Sequence, residues 1–221
     1  MIPWLSPALQ DLFIESAIET AMMVGGAAAI AILFGLPIAL LLHATGKGGL
    51  AQSGLVNRPL GLLINAVRST PFIILMVAIV PFTRLVAGTS IGTTAAIVPL
   101  ALAATAFISR LFESAFAEVD RGVVEAARAM GATRMQILLK VVVPEALPGL
   151  IAAITVMLVS LVGFSAMAGA VGGGGLGDLG IRFGYQRFMP EVMASVVVIL
   201  ILVVQGLQSL GDWLVRRVRR R

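Results

Sequence analysis

The chain has no cysteine. Disulfides, thiol nucleophiles and cysteine-held metal centres are therefore excluded. Histidine is almost as scarce. His43 is the single imidazole among 221 residues, and at the end of an apolar run it reads as an interfacial residue rather than a metal ligand or proton relay. Charged residues make up 12% of the chain against 59% apolar residues. That balance, with a mean hydropathy of +1.03, lies far from soluble composition and implies an integral membrane protein. The N-terminal stretch MIPWLSPALQDLFIESAIET holds Asp11, Glu15 and Glu19 but no Lys or Arg. It also offers no clear small-residue cleavage site, so the marks of a secretory signal are missing. No nucleophile–base pair, paired carboxylates or metal-ligand cluster falls within the apolar runs, which argues against a membrane enzyme. A net charge of +5 and a pI near 11.0 invite a nucleic-acid reading. Yet the positive residues sit at the ends of apolar runs and in a tail, with no aromatic-interleaved basic surface. Membrane topology explains them, and no nucleic-acid partner is expected.

What the sequence has is long apolar chain. A helix crosses about 30 Å of hydrocarbon with about 20 residues. Five runs qualify: 21–42, 60–86, 93–112, 147–171 and 191–215. The expected fold class is all-α integral membrane with five transmembrane helices in a single domain over 1–221, surrounded by membrane lipid. No soluble domain, linker or internal repeat is visible. Gly25, Gly26, Gly35 and the small residues 27–29 predict close helix contact in the first span. Trp4 and Trp213 read as interface anchors. In the second run, Arg68-Ser69-Thr70-Pro71 predicts a helix break near the cytoplasmic side. Two readings of Arg68 stay open there, a pivot beside a translocation path or a snorkelling arginine beside a tolerated kink.

Orientation follows from charge. The last run ends in Arg216, Arg217, Arg219, Arg220 and Arg221, which reads as cytoplasmic. Five spans then put the N-terminus outside and the C-terminus in the cytoplasm. The 43–59 turn, with Lys47 and Arg58, falls inside. The two outer loops hold Arg84, Arg182 and Arg187, and the loop over 178–190 is polar enough to meet a soluble partner. Two glycine motifs mislead. ATGKGG is superficially like a phosphate-binding loop, but that pattern needs Gly at 41 and Ser or Thr at 48, where this chain has Leu41 and Gly48. Gly175-x-Gly177-x-x-Gly180 matches a dinucleotide fingerprint without the preceding strand. It reads as a deformable, close-packed segment instead.

The most informative stretch is DRGVVEAARAMGATRMQILLKVVVPEALP, residues 120–148. Asp120 is a candidate N-cap. Gly131 sits where a helix ends through positive φ. Thr133 and Gln136 have capping-box spacing. Pro144 and Pro148 interrupt the entry to the next apolar run. The expectation is a short exposed helix over about 121–131, a sharp turn, and a helix returning to the membrane. Glu125 has a bland alternative, pairing with Arg121 or Arg128 on the helix surface.

Glu125-Ala126-Ala127, Gly131 and Val141-x-Val143-Pro144 together resemble the EAA motif of ABC importer membrane subunits, with valines where the usual pattern has Ile and Leu. RSTPFIILMVAIVPFTRLVAGTSIGTTAAIVPL (68–100), EAARAMGATRMQILLKVVVPEALPGL (125–150) and GFSAMAGAVGGGGLGDLGIRFGY (163–185) look like the membrane subunit of methionine importers. The similarity covers about 17–215. The resemblance implies a type I ABC importer-like permease in the bacterial cytoplasmic (inner) membrane, acting as a homodimer. Two ATP-binding cassette subunits would lie below, and a methionine-binding lipoprotein or periplasmic protein above. ATP would be bound and hydrolysed on the partner subunits, with no catalysis, metal or cofactor on this chain. Glu125, Ala126, Ala127, Gly131 and Pro144 would couple the ATPase to the spans. Ser165, Met167 and Gly169 are expected along the gate or pathway. Met167 has two readings, an apolar plug on a two-fold axis or a lipid- or core-facing side chain. The substrate would be methionine, D- and/or L-. The alternatives are another amino acid or small organic substrate, or an autonomous secondary transporter, against which the absence of acids deep in a span counts.

Overall fold

The computed structural model describes residues 7–219; Trp4, Arg220 and Arg221 lie outside the described residues. Every element among them is helical. The first helix, α1, spans Pro7–Thr45 and contains the apolar run over 21–42, extending over 7–20 before it. At 1.5 Å per residue its 39 residues reach about 58 Å, about twice the hydrocarbon thickness. The pattern over 7–20 explains the extension. Asp11, Glu15 and Glu19 recur every four residues on one stripe. Leu9, Ser16 and Thr20 are buried on another. The stretch is an amphipathic helix that continues directly into the apolar one.

Further along α1 the buried positions are Met23, Val24, Ala27, Ala28, Ala31, Gly35, Ala39 and Leu42. They recur at three- and four-residue spacing and form a seam. This seam lies against α5, Thr93–Ala117, which is the partner of α1's most extensive contact. Small residues dominate because helices in an apolar phase associate by close packing rather than by hydrophobic burial. Gly35 is required here: a Cβ would collide with Ile108 of α5. Gly26 lies against Ile97, whereas Gly25 faces open space and Ala29 is exposed. The main core joins this seam to residues of α9 (Leu147–Ala168), including Met157, Leu161 and Val162.

The second apolar run does not cross as one rod. It is built from α2 (Gly54–Ser69), α3 (Phe72–Ala78) and α4 (Val80–Ala87). The α2 and α3 axes are bent by 107°. Thr70 is extended, with φ −81° and ψ 125°, as the following proline demands. Arg68 is exposed in the last turn of α2, its Cζ 6.0 Å from the Phe107 ring centre. Among the described residues four helices are long and apolar enough to cross a membrane, or five if the bent pair is one span.

Polar ties lock the end of α1 and the start of α2 to each other and to α5. Asn57 Nδ2 donates to the Leu42 carbonyl at 2.8 Å. Arg110 Nη2 donates to the Gly61 carbonyl at 3.0 Å while its Nη1 pairs with Glu113 Oε2 at 2.7 Å.

The chain then forms α6, Arg121–Ala129, and α7, Arg134–Ile137. Pro144 does not stop the helix that follows. A wide turn of π type over Leu138–Val142 leads into α8, Val143–Glu145, and Ala146 separates that from α9. A widened turn is one way to accommodate a residue with no amide donor. After α9 come a π turn over Gly169–Gly173, α10 over Gly175–Leu179, a second π segment over Gly180–Tyr185 and α11 over Pro190–Arg219. The stretch expected as an open loop over 178–190 is therefore largely helical. There Arg182 pairs with Asp178 at 2.9 Å, and Arg182 and Arg187 lie over the Phe183 ring. The tight turn of chain at its end places Phe188 at φ 54°. On α11, Arg217 lies 5.4 Å over the Trp213 ring, and Arg216, Arg217 and Arg219 occupy the last turn.

Candidate functional site

The first candidate region is the turn that carries α6. Asp120 Oδ1 accepts from the Gly122 amide at 2.6 Å, which caps the helix start. At the other end Gly131 has φ +82°. The Ala132 amide donates to the Ala127 carbonyl at 3.1 Å and the Gly131 amide to the Arg128 carbonyl at 3.0 Å. That pair of bonds is a Schellman motif, which satisfies carbonyls a helix end would otherwise leave bare. Two residues later Thr133 and Gln136 close a capping box: Gln136 N donates to Thr133 Oγ1 at 3.3 Å, and Thr133 N to Gln136 Oε1 at 2.8 Å. The α6 helix and its turn are thus fixed by contacts a few residues long.

The side chains of α6 divide cleanly. Ala127 is 5% exposed and belongs to the main core with Ile137 and Val142. Arg121, Glu125, Ala126 and Arg128 are exposed. So are the apolar Val123, Met130 and Met135, with Met130 at 82%. Among the described residues Glu125 makes no ion pair, with Arg121, Arg128 or any other cation. It lines a cavity of about 390 Å³ bounded by the end of α1, the 46–50 turn, the end of α5 and α6. His43, Lys47, Arg121 and Arg128 share that lining. His43 itself is half-buried, its ring 5.8 Å from that of Phe116. Pro144, exposed, lies one wide turn beyond α7.

The second region is the glycine-rich end of α9. Ser165 is 2% exposed and its hydroxyl donates to the Val162 carbonyl at 2.8 Å. Gly169 is buried, and a Cβ there would stand 2.5 Å from the Asp178 amide and 2.8 Å from the Gly174 carbonyl. Met167, between them in sequence, is 48% exposed. The backbone then departs from helix at Val171 and Gly172, and Gly172, Gly174 and Gly175 all have positive φ. The Gly92 amide, at the start of α5, donates to the Gly172 carbonyl at 2.9 Å.

Two residues that the sequence reading passed over as ordinary N-terminal polar groups complete this region. Glu19 Oε2 accepts from the Gly175 amide at 2.6 Å, and Thr20 Oγ1 accepts from the Leu176 amide at 2.9 Å. No short-range signal marks this pairing. The acid stripe of 11, 15 and 19 was the available hint, since a carboxylate on a helix that enters an apolar phase needs a partner.

Among the described residues no group of three His, Cys, Asp or Glu side chains is placed to hold a metal ion. The arrangement places a doubly capped, exposed helix at one end of the bundle and a kinked glycine segment at the other.

Comparison with known proteins sharpens this. A family profile described as "Binding-protein-dependent transport system inner membrane component" matches residues 31–221. The chain is 53% identical over 211 residues to a Vibrio cholerae protein named "Probable D-methionine transport system permease protein MetI", covering 96% of this chain and 94% of that one. A Pasteurella multocida protein of the same name is 48% identical over 217 residues, covering 98% and 100%. Among solved structures, one described as "Inward facing conformations of the MetNI methionine ABC transporter" superposes with a TM-score of 0.94 at 45% identity, over 97% of this chain and 99% of that one.

Proposed function

The chain belongs to the family of binding-protein-dependent transport system inner membrane components, and we propose from that footing how it works as the permease of an ATP-driven methionine importer. The substrate follows from the full-length relatives and the matching transporter fold. The D- and L-forms share the side chain such a pathway would pass.

The permease lies in the bacterial cytoplasmic membrane with five spans, the bent α2–α3 pair being the second. Its N-terminus is outside and its arginine tail inside, held there by the positive-inside preference. A second copy closes the pathway. Two ATP-binding subunits bind below and carry out the hydrolysis; this chain binds no nucleotide. A methionine-binding lipoprotein or periplasmic protein delivers substrate at the outer face, where Tyr185 and Phe188 are 69% and 87% exposed.

One observation carries the coupling role. The α6 helix is capped at both ends by its own neighbours, yet it leaves Glu125 unpaired and Val123 and Met130 bare. A rigid peg with an open charge and an apolar tip suits a cleft on a moving partner. Ala127 and Pro144 tie the peg to the span it drives, and Gly131 turns the chain back toward that span. ATP binding draws the two ATPase subunits together. The α6 helices follow, and the pathway opens outward to receive methionine. Hydrolysis returns the permease to the inward-facing state. Met167 faces the pathway as its apolar gate. Ser165 and Gly169, both packed inside the chain, hold the end of α9 in register. The zwitterion meets few charges along the way, so its contacts there are weak and transient.

The test is methionine uptake into vesicles holding this chain with its ATPase and binding protein, with and without internal ATP. Uptake is expected to need ATP and to fall at least about tenfold in Glu125→Arg, which reverses the charge offered to the partner, while the complex still assembles. Equal uptake without ATP would sink the importer reading.

A further inference from the structure

The glycine-rich segment after α9 is held from a distance. Glu19 and Thr20 are consecutive residues of α1, and they accept hydrogen bonds from the consecutive amides of Gly175 and Leu176, 156 residues away. Those amides open α10 and have no intrahelical acceptor. In an apolar setting an amide without an acceptor is costly, and a carboxylate acceptor makes the stronger kind of bond. The fit is close on both sides. A Cβ on Gly174 would stand 2.7 Å from Glu19 Oε2, and one on Gly175 would stand 2.7 Å from Thr20 Oγ1 and from Met23 Cε. Glycine is therefore needed here so that α1 can reach the backbone. The same glycines make the segment easy to bend, because Gly172, Gly174 and Gly175 occupy φ values of 89°, 79° and 77° that other residues reach only with strain.

The segment is tied to α1 by these two bonds and to the start of α5 by the Gly92 amide on the Gly172 carbonyl; of these, the pair on α1 sits at the glycines about which the segment can swing. We propose that Glu19 and Thr20 are positioning residues that latch the 169–177 segment in the state with the outer side closed, and that the latch opens when the pathway turns outward. The proposal rests on the importer reading above. It adds to that reading the pair of residues that sets the resting position of the gate next to Met167. The acid makes a strong latch, and the hydroxyl fixes its register, since Leu176 is 1% exposed in a small core with Leu9, Leu179, Val192 and Val196.

The test uses the whole transporter in vesicles, with Leu176→Cys, 1% exposed while the segment is pinned, as a reporter in a chain that has no other cysteine. A membrane-impermeant maleimide is added outside, without ATP, and labelling is timed. Methionine taken up per ATP hydrolysed is measured in parallel. Glu19→Leu and Thr20→Val remove the acceptors. Glu19→Gln and Thr20→Ser keep an oxygen in place. Losing a hydrogen bond with a charged partner weakens a closed state by about tenfold or more. Resting labelling should therefore rise by about tenfold in Glu19→Leu and by about threefold in Thr20→Val, whose lost bond is neutral, each with a comparable fall in methionine moved per ATP. Thr20→Ser should stay within about twofold of the parent, and Glu19→Gln, which keeps an oxygen but loses the charge, should fall between the parent and Glu19→Leu. Unchanged labelling and stoichiometry in both acceptor-free variants would overturn the latch, as would equal damage in the conservative pair. If Glu19→Leu does not assemble, the Thr20→Val and Thr20→Ser pair decides by the same criteria. Failure of the importer reading looks different: the parent would then move no methionine with ATP, while labelling would still report the latch.

Discussion

The two ends of this molecule are secured in opposite ways. The α6 turn is held by bonds between near neighbours: Asp120 to Gly122, Gly131 to Arg128, Ala132 to Ala127, Thr133 to Gln136. The glycine-rich segment is held by bonds that join residues 156 positions apart. The first arrangement yields a part that keeps its shape while it is moved. The second yields a part whose shape depends on where another helix stands. A transmission element needs the former and a gate needs the latter.

The largest effect should come from crowding the outer region. Gly169→Leu pushes side-chain atoms into the Asp178 amide and the Gly174 carbonyl, and backbone cannot yield as a flexible side chain can. A loss of about 3 kcal/mol is expected, in the upper range for overpacking, and thermal unfolding of the purified chain should begin about 6–12 °C lower. Gly206→Ala on α11, where nothing lies within 4 Å of an added Cβ, is the matched control and should lose nothing. A Gly169→Leu chain as stable as the parent would show that the region is loosely held, and the contrast between the two ends would fail.

A smaller and more local effect is expected at Gly131. Its φ of +82° makes a β-branched residue cost about 1–3 kcal/mol, although nothing lies within 4 Å to clash. Gly131→Val should leave the spans intact and lower ATP-dependent methionine uptake by about tenfold, because the turn that returns α6 to its span is lost. Gly131→Asn, which tolerates the left-handed region, should recover most of it. Hydrogen exchange should speed up over 121–137 in the Gly131→Val chain and stay unchanged in the spans. Bundle-wide loosening would mean that α6 is less self-contained than its caps imply.

The sequence was readable where the determinants are local. Asp120, Gly131 and the Thr133–Gln136 pair could be placed because capping chemistry is a matter of spacing, and the structure has each of them. The break at Thr70 and Pro71 was visible because proline constrains its predecessor. The 107° bend was not, because the angle depends on how α3 packs beside α5 and α9. The apolar run over 21–42 lies within α1, but hydropathy alone did not show that the helix extends back to Pro7: the acids at 11, 15 and 19 look like an open terminus until Leu9, Ser16 and Thr20 are seen buried behind them. The expected loop over 178–190 failed for a related reason. Its polar residues satisfy one another, as Arg182 does with Asp178 and the Phe183 ring, and so allow a helix. The glycine run was rightly taken as close-packed, but the helix it packs against could not be named. Nothing in 169–180 points to Glu19.

The smallest expected effect separates the caps from the turn. Asp120→Ala removes the bond to the Gly122 amide, and Thr133→Ala removes the one from Gln136. Each should cost about 1 kcal/mol of local helix stability, which is about a fivefold faster exchange of the amides just inside that cap. The two caps serve different helices across the Schellman turn, so the double variant should show both changes with little interaction between them. Uptake should fall by less than about twofold, because a frayed first turn still leaves Glu125, Val123 and Met130 on a helical frame. Thr133→Ser keeps the acceptor and should behave as the parent. If instead Asp120→Ala alone disturbed exchange at Gly175 and Leu176, the two ends would be joined by something stiffer than the spans between them. The coupling helix and the latch would then have to be treated as one device rather than two.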